Sequence, residues 1–252
     1  MQKHREVKMP IIGKIKVGEK NEKGLPVSLD YFIAVGNYKN YFDNACGEKP
    51  TSITIMFLDD EFEKSCNERY ELRQGAKLYA YGDGEVFQVY DEQKDDYIEM
   101  TMDKNSDVIK SLHTKVKGKW ESVLHMYFLI PAITGVLGAW QFTTKGEKSS
   151  IPTILGAFQM VKNMAGRVVG IPFDLQVKKV ISNKPGSKNK FPVINLIPNV
   201  SQPYLEKIKQ YLGNVNFVGL LTENKIDDIA MNEVAKQVEY LPAESEKWKL
   251  GQ

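Results

Sequence analysis

The chain has 252 residues, 42% of them hydrophobic, enough to bury a sizeable core as one large domain or two small ones. Its 34 basic residues nearly balance 32 acidic ones, a net charge of +2, so the chain as a whole announces no nucleic-acid partner and any electrostatic partner must be met by a local patch. No stretch approaches the roughly 20 apolar residues of a spanning helix; MQKHREVK has charge with no apolar core after it, and Cys46 and Cys66 read as free thiols of a cytoplasmic protein.

After a polar tail over residues 1–8, PIIGKIKVGEK and LPVSLDYFIAVG read as two strands joined by the turn-rich NEKG. NYKNYFDNACGEKP carries aromatics without a clear period. TSITIMFLDD alternates into an apolar run and reads as a third strand, whereas EFEKSCNERYELRQG reads as a short helix ending at Gly75. KLYAYGDGEVFQVYD is a tight hairpin, with β-formers on both sides and Gly82-Asp83-Gly84 supplying the positive φ values of its turn. The acidic DEQKDDYIEMTMD follows and contains one more strand over 97–102.

DVIKSLHTKVKGK is a short helix or loop with a basic end, and the seam between two halves falls near 107–118. WESVLHMYFLIPAI, broken by Glu121 and His125, suits a buried strand, and GAWQFTT suits a second. A long helix follows over 150–165: Ser149 or Ser150 caps it, Pro152 sits in its first turn and Gly166 ends it. Its stripe of Ile151, Ile154, Leu155, Phe158, Val161, Met164 and Ala165 must lie against a sheet, for which GAWQFTT and GIPFDLQVKKVIS are the expected strands. NKPGSKNK has the composition of an exposed hairpin tip and FPVINLIPN returns as a strand. Ser201 caps a second helix and Thr222 a third. These elements predict an α+β fold: an antiparallel β-rich N-terminal domain over 1–110, an α+β domain with a strand-strand-helix-strand unit over 111–200, and C-terminal helices with a tail over 201–252.

The residue types of catalysis do not come together at working spacings. His113 and His125 belong to no HExxH pair, and His125, between Leu124 and Met126 in a strand, reads as a hydrogen-bonded structural histidine. The cysteines stand twenty residues apart with no second pair, which does not make a four-ligand zinc site. Gly82-Asp83-Gly84 is flanked by strands, whereas a phosphate cradle sits between a strand and a helix. The basic tip is the candidate DNA contact: Lys178, Lys179, Lys184, Lys188 and Lys190 fall within thirteen residues and can reach along phosphates. On these grounds the chain reads as a non-enzyme.

GKIKVGEK, GEKPTSITIMF, YGDGEVF, HMYFLIPAITGVLGAWQFTT and GRVVGIPFDLQVKKV, in this order across residues 11–200, resemble the phage recombination directionality factors of the large type that partner large serine integrases. The resemblance implies a non-catalytic switch in the cytoplasm of a bacterial host. Such a factor binds the integrase on its attachment-site DNA and changes which sites synapse, so that integration gives way to excision; it meets DNA chiefly through the integrase. Tyr81, Gly82, Asp83 and Gly84 are the candidate partner contacts. In that family the stretch matching Ala80 to Gly84 more often reads Cys-Arg-Gly-Asp-Gly ahead of a cysteine-rich insert. Here Ala80 and Tyr81 stand instead and no cysteine follows Cys66, so neither metal nor cofactor is expected. Two alternatives remain: a single-stranded DNA-binding or recombination-mediator protein, since Tyr38, Tyr41, Tyr79, Tyr81 and Tyr90 beside lysines could stack bases, and a hydrolase with a metal site built from scattered Asp and Glu.

Overall fold

A computed structural model describes residues 10–181 and 190–214. β1 (Ile11–Lys20) and β2 (Pro26–Val35) form the expected hairpin, antiparallel from Lys14↔Val35 to Lys20↔Pro26. Asn21 closes its turn, with Oδ1 accepting the amides of Lys23 at 3.0 Å and Leu25 at 2.9 Å. The aperiodic aromatic stretch that follows is a helix, α1 (Lys39–Cys46). Its single buried side chain, Phe42, packs on Trp140 with ring centroids 5.9 Å apart, and a helix with one anchor writes no periodic stripe.

β3 (Ser52–Phe57) is the expected third strand, but the helix expected over 61–75 is corrected. Only α2 (Phe62–Ser65) is helical there, and the chain continues as β4 (Cys66–Gln74). Arg, Glu and Leu favour helix locally, yet β4 is hydrogen-bonded along both edges, and tertiary pairing overrides that weak preference. β5 (Lys77–Gly82), β6 (Val86–Asp91) and β7 (Asp96–Thr101) complete a meander, and α3 (Met102–Val116) folds back over it. The interior of this part is Leu72, Ala80, Phe87 and Val89 against Ile109 of α3.

β8 (Lys119–Leu129) is the central strand: it pairs with β4 and β3 along one edge and with β9 (Ala139–Thr144) along the other. β9 runs parallel to β1, which carries β2 outside it. After α4 (Ser150–Ala165) come β10 (Pro172–Ile181) and β11 (Lys190–Pro198). The eleven strands share one mixed sheet whose longest path is β11-β10-β3-β8-β4-β5-β6-β7, with strands from either side of residue 110 interleaved. The α+β class is therefore as expected, β-rich first and helices later.

α4 lies on β11, with Phe158 edge-on to Phe57 of β3 at 5.0 Å and Phe57 against Phe173 of β10 at 5.2 Å, so its apolar stripe meets a sheet as predicted, but chiefly through β11 and not through the expected GAWQFTT strand, β9. Its capping differs from expectation. Ser149 makes no side-chain bond at the helix start, and the buried Ser150 Oγ accepts the N–H of Ile194 in β11 at 3.0 Å. Gly166, at φ +79°, ends the helix as predicted. The described residues up to Lys207 belong to one compact unit. The helix expected after Ser201 is α5 (Gln202–Asn214); the one expected after Thr222 lies outside the described residues. Among the described residues no helix is long and apolar enough to cross a membrane.

Candidate functional site

Strand alternation divides β4 between two environments. Leu72 points to α3, whereas Arg69, Glu71 and Arg73 share the opposite face. Glu71 is only 2% exposed there, because its neighbours close over it. Arg69 donates to Oε1 through Nη2 at 2.7 Å and Nε at 2.9 Å, Arg73 donates to Oε2 through Nε at 2.6 Å, and His125 Nε2 donates to Oε1 at 2.8 Å. Burial by itself pushes the Glu71 carboxyl up, but the hydrogen bonds from His125, Arg73 and Arg69 outweigh it and hold the group well below the usual carboxylate range. The other imidazole nitrogen lies 3.3 Å from Thr143 Oγ1 and 3.4 Å from Gln141 Nε2, so His125 is a hydrogen-bonded strand histidine, as expected.

The network continues into an aromatic row. The Arg69 guanidinium lies 4.5 Å from the ring centroid of Tyr81; Tyr81 meets Tyr97 at 5.4 Å, and Tyr97 meets Tyr90 at 5.6 Å. Hydroxyl bonds fix the rings, Tyr97 donating to the Leu78 carbonyl at 2.8 Å and Tyr90 to the Asp95 carboxylate. Of the tyrosines expected as a stacking surface, Tyr81 and Tyr90 thus join one cluster. Tyr38 and Tyr41 form a separate pair at α1, and Tyr79 bonds to Gln74.

The other predicted partner residues make the hairpin turn itself. Asp83 Oδ1 accepts the amides of Glu85 and Val86, both at 2.8 Å, and those two N–H groups keep its carboxyl below the ordinary value. Of this turn only Gly84 takes a positive φ, +109°; Gly82, expected to share that role, is required for space instead, since a Cβ there would stand 2.2 Å from the Val86 carbonyl oxygen. Beside this turn, between α3 and the sheet, lies an apolar groove of about 510 Å³ lined by Tyr70, Phe87, Met102, Ile109 and Trp120, with Lys110 and His113 on it.

The predicted lysines lie at the far end of the sheet path. β3 pairs with β10 only as far as Gln176, so beyond it β10 and β11 form a two-stranded ribbon down to Ile181↔Lys190. Lys178, Lys179 and Lys190 are exposed on this ribbon, whereas Lys184 and Lys188 lie outside the described residues. The residues missed in the sequence are Arg69, Glu71, Arg73 and Tyr97. The available signal was the period-two alternation Arg-x-Glu-x-Arg, which a helix reading of that segment conceals. Among the described residues no three histidine, cysteine or acidic side chains are placed to hold a metal ion.

No curated protein and no solved structure matches the chain. A family model described as Gp3-like, recombination directionality factor-like, matches residues 12–199, from β1 to just past the end of β11. This span takes in the whole sheet, the buried Glu71 network and the lysine ribbon, and on it the chain belongs to the Gp3-like family of recombination directionality factor-like proteins.

Proposed function

We propose that this protein is a recombination directionality factor that binds a large serine integrase on its attachment-site DNA and turns integration into excision. The observation that carries the reading is the family match over 12–199. The factor acts as a non-catalytic partner in the cytoplasm of a bacterial host cell, and the bond-making stays with the integrase. To move a two-state equilibrium from 1:99 to 99:1 it must prefer one integrase arrangement by about 10⁴-fold, which contacts to a second protein can supply without any reaction of its own. Tyr81 and the turn through Gly84 face the integrase in this reading. Lys178, Lys179 and Lys190 add phosphate contacts to DNA that the integrase already holds.

The test is capture of the integrase and of attachment-site DNA on the tagged protein, each added alone and then together, followed by an excision assay. Capture of integrase, strengthened by DNA, together with recombination of the excision pair of sites, is the expected result. Capture of single-stranded oligonucleotides without integrase, lost as salt rises, overturns the reading in favour of a single-stranded DNA-binding or mediator protein.

A further inference from the structure

The face of β5–β7 that carries the tyrosine row has no covering element among the described residues. Alternation turns Ala80, Phe87 and Val89 toward α3 and sends Tyr81, Tyr90 and Tyr97 to the opposite side. Mutual ring contacts and the hydroxyl bonds to Leu78 and Asp95 hold the row in place. Its surroundings are acidic on balance: between residues 77 and 100 the chain has seven acidic residues against two lysines, although the whole protein is at +2, and the two guanidiniums on the adjoining face of β4, Arg69 and Arg73, are both bonded to Glu71. Asp83, Glu85, Glu92, Asp95, Asp96 and Glu99 are all exposed, and Lys94 stands 3.8 Å from Asp91.

Charge decides what this face can accept. Carboxylates at such density repel a phosphate chain, which removes nucleic acid as the occupant. A purely apolar partner would strip water from those carboxylates and return no hydrogen bond. A cationic side chain satisfies both features, with its charge over a tyrosine ring and its N–H donors reaching carboxylates at the rim. The sheet already contains one contact of that kind, the Arg69 guanidinium over Tyr81.

We infer that the outer face of β5–β7 docks a lysine- and arginine-rich segment of the partner protein, which rests on the integrase reading given under Proposed function. The lysine ribbon of β10 and β11 lies at the opposite end of the strand order, so the sheet presents acid at one end and base at the other. A basic segment of a DNA-bound recombinase can contact phosphate or this face, not both. Competition for that segment is a source of the differential affinity that a switch requires.

The experiment titrates purified integrase against the immobilised full-length protein at low and high salt. The double variant Glu92→Lys with Glu99→Lys, both exposed and outside the Glu71 network, lowers affinity about ten-fold or more at low salt, and the difference narrows at high salt. Tyr90→Leu keeps apolar area but removes the ring, and weakens binding several-fold at both salt concentrations. Glu19→Lys, an exposed acid of β1, a strand that pairs with β2 and β9 and not with β5–β7, changes nothing. Circular dichroism and the unfolding midpoint confirm that each variant is folded. Wild-type binding with equal binding by the double lysine variant overturns the docking inference and leaves the proposed function standing. Absence of wild-type binding overturns both. Self-association of the free protein that the double lysine variant abolishes also overturns the inference, by making a second copy the occupant.

Discussion

Glu71 shows what one residue can demand of its surroundings. Removing a carboxylate from water costs several kcal/mol even after relaxation, and here two guanidiniums and an imidazole offset that cost by direct hydrogen bonds. Glu71→Gln keeps the shape and removes the charge, leaving Arg69 and Arg73 without their anion; a loss of about 3 kcal/mol in urea unfolding is expected. The sign of the pH dependence follows from the depressed carboxyl. The unfolded chain takes up this proton near the ordinary glutamate value, about 4.3, while the folded protein takes it up only at lower pH. Between those two values the unfolded state binds more protons, so this contribution is complete above the window and is lost on acidification through it. Stability measured against pH should therefore fall more steeply below about pH 4.3 in the wild type than in Glu71→Gln. The alternation of Arg69, Glu71 and Arg73 is present in the sequence, but a helix reading of the segment conceals it. That His125, 54 residues away in the chain, closes the carboxylate is not legible there, because no local period links the two positions.

At the scale of elements, α4 separates what a capping pattern says from what packing does with it. Two serines ahead of Pro152 announce a helix start, and the helix begins there, yet neither hydroxyl serves its amides. Ser150 instead satisfies the buried N–H of Ile194. Ser150→Ala leaves that donor unpaired and should cost about 1–2 kcal/mol, read as a lowered urea midpoint. Ser149→Ala removes no observed bond of that hydroxyl and should stay within about 0.5 kcal/mol. The helix itself was legible because a wide apolar stripe between a proline and a glycine has one reading. α1 was not, having Phe42 as its one buried side chain, and β4 was misread because its charged side chains are bonded on a sheet face instead of facing water.

For the whole molecule, the consequence of the topology is separation of charge. A net charge of +2 conceals an acidic meander at one end of an eleven-stranded sheet and exposed lysines on a ribbon at the other. Reversing Lys178 and Lys179 together to Glu should weaken capture of attachment-site DNA by the factor with its integrase and lower the salt slope of that binding by about 2. The thermal midpoint should not change, since both side chains are exposed on paired backbone. An unchanged slope would mean that the ribbon touches no phosphate. By itself the sequence determined the first hairpin, the Gly82–Gly84 turn, the α4 span and the α+β class, because each rests on periods and turn chemistry contained in a few neighbouring residues. Only the tertiary structure decided that β8 joins β3, β4 and β9, that Glu71 is sealed by residues from two strands, and that Tyr81, Tyr90 and Tyr97 form one acid-rimmed face. Those features depend on which strands become neighbours, and pairing between distant segments is settled by burial and edge hydrogen bonding across the whole sheet, not by local preference.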